Sequence, residues 1–221
     1  AADQLEIDEV VEVLTSPGIR ALLREGRASD KLDILGFDAC LMGQLEVLHA
    51  LAGAADLFVA SESLVPVAGW AYAETFGWLA RELEAGRGGD PAALARRLVD
   101  RTIPLPSVFE DVGKAVAGFF IKLFGGETPQ RQITLAALTA EREQALERTV
   151  DELAGELTAR LGSSSPQRFV RAVSAAKDEA QTFLFEQFVD LFHFGELLAD
   201  KCGDAGLAAR LRRDLDPAAT V

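Results

Sequence analysis

One twelve-residue stretch constrains the fold more than any other: Leu32-Asp33-Ile34-Leu35-Gly36-Phe37-Asp38-Ala39-Cys40-Leu41-Met42-Gly43. Leu32, Ile34, Leu35 and Phe37 form a short apolar run, the pattern of a strand covered on both faces. Gly36 within it allows a neighbouring group to approach closely. Polarity changes at Asp38, and Cys40 follows two residues later. Beyond Gly43, the spacing of Leu45, Leu48 and Leu51 predicts a helix over residues 43–53, with Glu46 facing out. Cys40 therefore falls at the carboxyl end of a central strand, just ahead of a helix N-terminus. Open α/β sheets place their chemistry at that edge. A helix N-terminus also stabilises a thiolate, the reactive form of cysteine. Buried lone cysteines are just as familiar as small hydrophobes, so position alone leaves both readings open.

Leu57-Phe58-Val59-Ala60-Ser61 is a second short apolar run. Strand, helix and strand in so few residues make a βαβ unit with parallel strands. Residues 62–71 form a loop at the same sheet edge as Cys40. A helix over 71–84 follows, with Phe76, Leu79 and Leu83 on one face. Asp90 caps the next helix, with Pro91 at its first position. Upstream, a helical pattern over 4–14 is broken by Pro17-Gly18 and resumes over 19–25. Pro104 and Pro106 prevent a continuous helix over 104–130, and the apolar run Val116 to Phe124 reads as a packed helix or as a flap. Gln132–Leu138 predicts a strand. Thr139 caps a long helix carrying Leu146, Val150, Leu153, Leu157 and Leu161 on one face, ended by Gly162 to Pro166. Further helices are expected at 166–177, 188–200 and 205–215. The fold class is α/β. Residues 1–138 are expected to form the cysteine-bearing part, with 139–221 a helical C-terminal part of the same domain.

Composition narrows the function. The 221 residues are 49% hydrophobic, enough for a sizeable core. The net charge of −13 argues against nucleic acid as a partner, because phosphate binding needs a basic face. No apolar run approaches the length of a membrane span. Two cysteines, Cys40 and Cys202, make no disulfide framework, which favours the cytosol over secretion. Cys202 reads as structural. The two cysteines and two histidines show no metal-ligand spacing, so no zinc site is expected.

Phe37-Asp38-Ala39-Cys40-Leu41-Met42-Gly43, with Glu46-Val47, Ala55-Asp56, Ser61-Glu62 and Gly69-Trp70-Ala71-Tyr72, resembles the C11-type clostripain family of cysteine peptidases. That family belongs to the caspase-like clan that also holds gingipains and legumains. Ile133 to Leu138 is similar to the family's later strand, and Phe188-Val189-Asp190-Leu191-Phe192-His193-Phe194 to its "YVDLYDF" segment. The resemblance implies a three-layer sandwich with a mostly parallel central sheet flanked by helices. It implies a cysteine endopeptidase acting on protein or peptide substrates, with the Cys40 thiolate as nucleophile and its own N–H as an oxyanion donor. Family members cut after Arg or Lys, and Asp38 matches the acid that helps line their first pocket. The alternative for Asp38 is a cap on the following turn. Ala39, Ser61, Glu62, Trp70 and Tyr72 are the other expected substrate-binding residues. Trp70 and Tyr72 read equally as an aromatic wall for the peptide or as packing under the loop. Glu62 is the only acid in the 62–72 loop, which weakens the case for strict Arg preference.

The resemblance also places a catalytic histidine upstream of the cysteine, and none of the 39 residues before Cys40 is histidine. His49 lies on a helix running away from the strand end, and His193 reads as a packed histidine. Clostripain-like enzymes are made as zymogens and cut between the two catalytic residues, often by themselves. The expectation is therefore that Ala1 is a neo-N-terminus, that an upstream fragment supplies the histidine, and that a C-terminal fragment follows Val221. No cofactor is expected; calcium stays open, although no twelve-residue calcium loop is present. Two other functions compete: a catalytically inactive caspase-like scaffold, and a different α/β hydrolytic enzyme pairing Cys40 with His49 or His193.

Overall fold

The computed structural model describes residues 6–27, 29–65, 69–87, 89–102, 134–162, 166–183 and 185–215. The chain divides into two units, Ala1–Glu143 and Gln144–Val221. In the first, α1 (Ile7–Leu14) and α2 (Pro17–Arg24) precede β1 (Leu32–Gly36), α3 (Leu45–Leu51), β2 (Ala55–Ser61), α4 (Tyr72–Glu84), α5 (Pro91–Thr102) and β3 (Leu135–Thr139). A long helix, α6 (Ala140–Leu161), begins in this unit and continues into the next.

β2 lies at the centre of the described sheet. β1 pairs with it in parallel, Leu32 opposite Ala55 and Gly36 opposite Val59. β3 pairs on its other side antiparallel, Ser61 opposite Leu135 and Leu57 opposite Thr139. Alternation along β2 divides the core. Phe58 meets Leu48 and Leu51 of α3 and Val10, Val11 and Leu14 of α1. Its neighbour Val59 points the other way, to Trp70 and to Ala95 and Leu98 of α5. Helices thus cover both faces, which gives the expected three-layer α/β arrangement, and the apolar run of β2 is what burial on both faces demands.

Several local expectations change. The break expected at Pro17-Gly18 separates α1 from α2, and Pro17 also opens the second helix. Ser16 Oγ accepts the Ile19 N–H at 3.4 Å, and Pro17 takes the first helical position, where a missing N–H costs nothing. Asp90 and Thr139 cap as expected, through the N–H groups of Ala92 (3.0 Å) and Arg142 (3.2 Å). The Val116–Phe124 run and the start of the expected strand at Gln132 lie outside the described residues.

In the second unit, α7 (Gln167–Glu179), the hairpin β4 (Thr182–Phe183) and β5 (Phe185–Val189), α8 (Leu191–Lys201) and α9 (Ala205–Asp214) follow the rest of α6. The helix expected to start at residue 188 starts at Leu191 instead. Phe188 and Val189 belong to β5, and the Asp190 carboxylate accepts the His193 N–H at 2.9 Å to cap α8. Phe169, Ala172, Ala176, Leu198, Leu207 and Leu211 form the core of this unit. Arg160 gathers its polar edge, bonding Glu156 (2.6 Å) and Asp204 (2.8 Å) and lying over the Phe169 ring at 5.3 Å. Asp204 also accepts the Leu207 N–H at the start of α9. That bond, and then Arg160, hold its carboxyl below the usual range. Among the described residues, no helix is long and apolar enough to cross a membrane.

Phe58 is 1% exposed at the junction of β2, α1 and α3. Phe58→Ala is expected to cost about 3–5 kcal/mol, read by denaturant unfolding of the first unit.

Candidate active site

After β1 the chain leaves the sheet, reverses, and is bound back onto the segment that follows β2. The Gly43 N–H donates to Ser61 O at 2.9 Å, and the Leu41 N–H to Ser63 O at 3.1 Å. The Gln44 side-chain amide donates to Glu62 O at 3.0 Å. The approach is close: a Cβ on Gly43 would lie 2.8 Å from the Ser61 carbonyl carbon and 2.9 Å from the Glu62 nitrogen, so only glycine fits. Leu41 is held at φ 63, a left-handed conformation unusual for a side-chain-bearing residue and one that costs about 1–3 kcal/mol. Its bond to Ser63 holds it there. Strain of this kind persists where the surroundings over-determine it, and here it turns the backbone beside Cys40.

Cys40 is exposed. The Val65 N–H donates to its Sγ at 3.3 Å. As expected, Cys40 lies just ahead of a helix N-terminus, since α3 begins at Leu45 with Gln44 as its N-cap. The donor to its sulfur comes from the segment bound to the turn. Residues 40–44 and 61–65 thus form one small unit with the thiol at its rim.

Asp38 stands at the start of the turn. Its Oδ2 accepts the Tyr72 O–H at 2.7 Å and the Trp70 N–H at 3.1 Å. Gly69, at φ 72, makes room for this: a Cβ there would lie 2.5 Å from the same oxygen. The other oxygen, Oδ1, is buried and has no hydrogen-bond partner among the described residues. A buried acceptor without a donor costs about 1–3 kcal/mol, so it marks a place where an incoming donor is stabilised. Asp38 does not cap α3, whose N-cap is Gln44. Tyr72 is 44% exposed and stacks on Phe76, ring centroids 6.0 Å apart and planes 5° from parallel. Its bond to Asp38, reinforced by burial and by the carboxylate charge, raises the phenol above the usual tyrosine range.

The other expected binding residues divide. Ala39 is exposed and Glu62 half-buried beside the turn. Ser61 is 0% exposed; its hydroxyl lies 3.1 Å from that of Thr134 and accepts the Ser63 N–H, so its side chain supports the loop from within. Trp70 is 8% exposed and belongs to the core between the sheet and α5. Its ring lies where a Cβ on Gly36 would stand, 2.7 Å away, which explains the glycine in β1. The exposed aromatic pair is therefore Tyr72 with Phe76, and Trp70 is packing beneath the loop. In the sequence Phe76 reads only as part of a helix face, Gly69 only as part of the Gly69-Trp70-Ala71-Tyr72 motif, and Val65 carries no signal beyond its place in the loop.

Neither histidine is placed as a partner of Cys40. His49 is exposed on the last turn of α3, with a ring nitrogen within 4.8 Å of a carboxylate oxygen of the buried Glu143. His193 accepts the Gln181 N–H through Nδ1 at 3.0 Å, a bond internal to the second unit, as befits a packed histidine. Cys202 is buried, its Sγ donating to the carbonyls of Ala199 and Asp204.

The described residues thus build an α/β sheet with an exposed cysteine on a strained turn past the carboxyl end of a strand, and an oriented acid two residues before it. The family model described as the Clostripain family matches residues 2–202, and the chain belongs to that family. No curated protein matches the chain. Among solved structures it is similar to a clostripain from Bacteroides thetaiotaomicron in complex with the peptide inhibitor BTN-VLTK-AOMK. The identity is 16% over 97% of this chain and 72% of that one, with a TM-score of 0.50. It is also similar to a secreted C11 cysteine protease from Bacteroides thetaiotaomicron in complex with an irreversible peptide inhibitor. There the identity is 15% over 96% of this chain and 47% of that one, with a TM-score of 0.51. At these identities the likeness shows the fold: that of a C11 cysteine peptidase.

Tyr72 is the one tyrosine in the sequence, so its ionisation can be followed by phenolate absorbance. Titration is expected to show a phenol above the ordinary range, returning towards it in Asp38→Asn. Because folding raises this pKa, the bond stabilises fully below the ordinary tyrosine pKa, and the contribution is lost as pH rises through the raised value.

Proposed function

We propose that the chain is the cysteine-bearing part of an endopeptidase that cuts after a basic residue, with Cys40 as nucleophile. Asp38 is the observation that carries the basic preference: its carboxylate is fixed by Tyr72 and the Trp70 N–H, and its buried Oδ1 lacks a donor that a cationic side chain would supply. Family membership and the exposed sulfur support the nucleophile. The peptide inhibitors held by the two similar Bacteroides structures support a peptide substrate.

In this reading the Cys40 thiolate attacks the carbonyl carbon of the scissile bond. A C–S bond forms, and the Cys40 N–H stabilises the oxyanion. An imidazolium protonates the leaving nitrogen as the C–N bond breaks, leaving a thioester on Cys40 that water then hydrolyses. The imidazole comes from a histidine outside residues 1–221, on the upstream fragment of the same precursor. His49 has Glu143 nearby, and His193 is used by Gln181. Precursor cleavage between that histidine and Cys40 generates the active form.

The full-length protein is expected to cleave peptides after Lys or Arg and to be labelled on Cys40 by a chloromethylketone with a basic side chain. Cys40→Ala abolishes both, and labelling that survives it overturns the assignment. Asp38→Asn is expected to lower kcat/KM on basic substrates by about a hundredfold or more, because it removes one member of a desolvated ion pair. A chain folded as described but never labelled or processed with its upstream segment present is the inactive scaffold instead.

A further inference from the structure

The carboxylate assigned above to the basic side chain is only half available. Oδ2 already accepts two hydrogen bonds, from the Tyr72 O–H at 2.7 Å and the Trp70 N–H at 3.1 Å. Two donors use the two lone-pair sites of one carboxylate oxygen. Oδ1 alone remains, buried and, among the described residues, without a partner. A guanidinium pairs best through two parallel N–H bonds, one to each oxygen. An ammonium is a compact charge on a flexible stem and is satisfied by a single oxygen. The local sequence offers no second acid to make up the difference: between Ser61 and Tyr72 the only carboxylate is Glu62.

The Tyr72 ring is 44% exposed; it stacks on Phe76 at 6.0 Å and meets Trp70, tilted by 34°, at 6.2 Å, and Trp70 is itself part of the core. Gly69 makes room for Oδ2, since a Cβ there would lie 2.5 Å from it.

We infer that Tyr72 is a specificity-determining residue that sets a preference for Lys over Arg before the scissile bond, by occupying Oδ2 and leaving Asp38 a single free acceptor. Tyr72 acts through Asp38 and is a positioning residue. The inference rests on the reading of Asp38 as the acid that receives the basic side chain. The raised phenol agrees with it, since the O–H stays a donor throughout the neutral and mildly alkaline range.

The test is kcat/KM on paired peptides that differ only in Lys or Arg before the cut bond, for the full-length protein and for Tyr72→Phe. The ring and its stacking survive this substitution; only the hydroxyl goes. The native protein is expected to prefer Lys by roughly tenfold, about what the net contribution of one hydrogen bond discriminates. In Tyr72→Phe the freed Oδ2 is expected to raise Arg relative to Lys by roughly fivefold or more, chiefly through KM. An Arg preference in the native protein overturns the inference, and so does a Lys/Arg ratio that Tyr72→Phe leaves unchanged. The native ratio decides the matter alone if the variant melts early. Those failures, with cleavage after basic residues intact, leave the reading of Asp38 standing. Cys40-dependent cleavage after non-basic residues sinks both.

Discussion

The backbone seam between residues 40–44 and 61–65 is the constraint on which the site depends. It lies past the point where β1 and β2 stop pairing in register, so the sheet cannot dictate it. Three hydrogen bonds, from Gly43, Leu41 and Gln44, bind the turn to the segment after β2. A fourth, from Val65, reaches the sulfur itself. The seam requires the Gly43 backbone to come within ordinary contact distance of Ser61 and Glu62, and it holds Leu41 in a conformation the residue would not choose. In exchange the thiol is exposed on a rigid support. Ser61 and Ser63 are buried under it, joined through Thr134 at the approach to β3, so the antiparallel strand also braces the site.

Two layers of preorganisation follow from the same short region. The Cys40 sulfur accepts from the Val65 backbone N–H, and two of the three bonds that hold its turn are also backbone to backbone. The acid two residues earlier is oriented by a side chain and by a glycine that makes room. These arrangements differ in how they can vary. Substitution at Tyr72, Gly69 or Trp70 changes the surroundings of Asp38 and leaves the hydrogen bonds of the seam in place.

Much of the scaffold could be read from residue order. The run Leu32 to Phe37, the leucines of α3 and the apolar run of β2 are local patterns. They reveal a parallel pair with Cys40 at its carboxyl end because hydrophobic periodicity reports burial directly. Gly36 announced a close neighbour, and Trp70 proved to be that neighbour. The Asp38–Tyr72 bond was not legible, since its partners are 34 residues apart and meet only once α4 has docked. The use of Val65 as a donor to sulfur was equally hidden, because a backbone N–H has no residue signature. Pro17 does mark the break between α1 and α2, but its place at the first position of α2 was hidden, because a proline there and one that ends a helix look alike without the cap. Phe188 and Val189 read as helical since an aromatic run next to the apolar face of α8 continues its periodicity without a strong turn residue to interrupt it.

The two sulfurs live under opposite conditions: Cys40 at the surface on its strained turn, Cys202 sealed into the helical unit with its thiol donating to backbone carbonyls. A reagent in solution meets the first at every encounter and the second only when α8 and α9 part. The molecule therefore carries two chemical clocks, a fast one set by the readiness of the site and a slow one set by the opening of the helical unit.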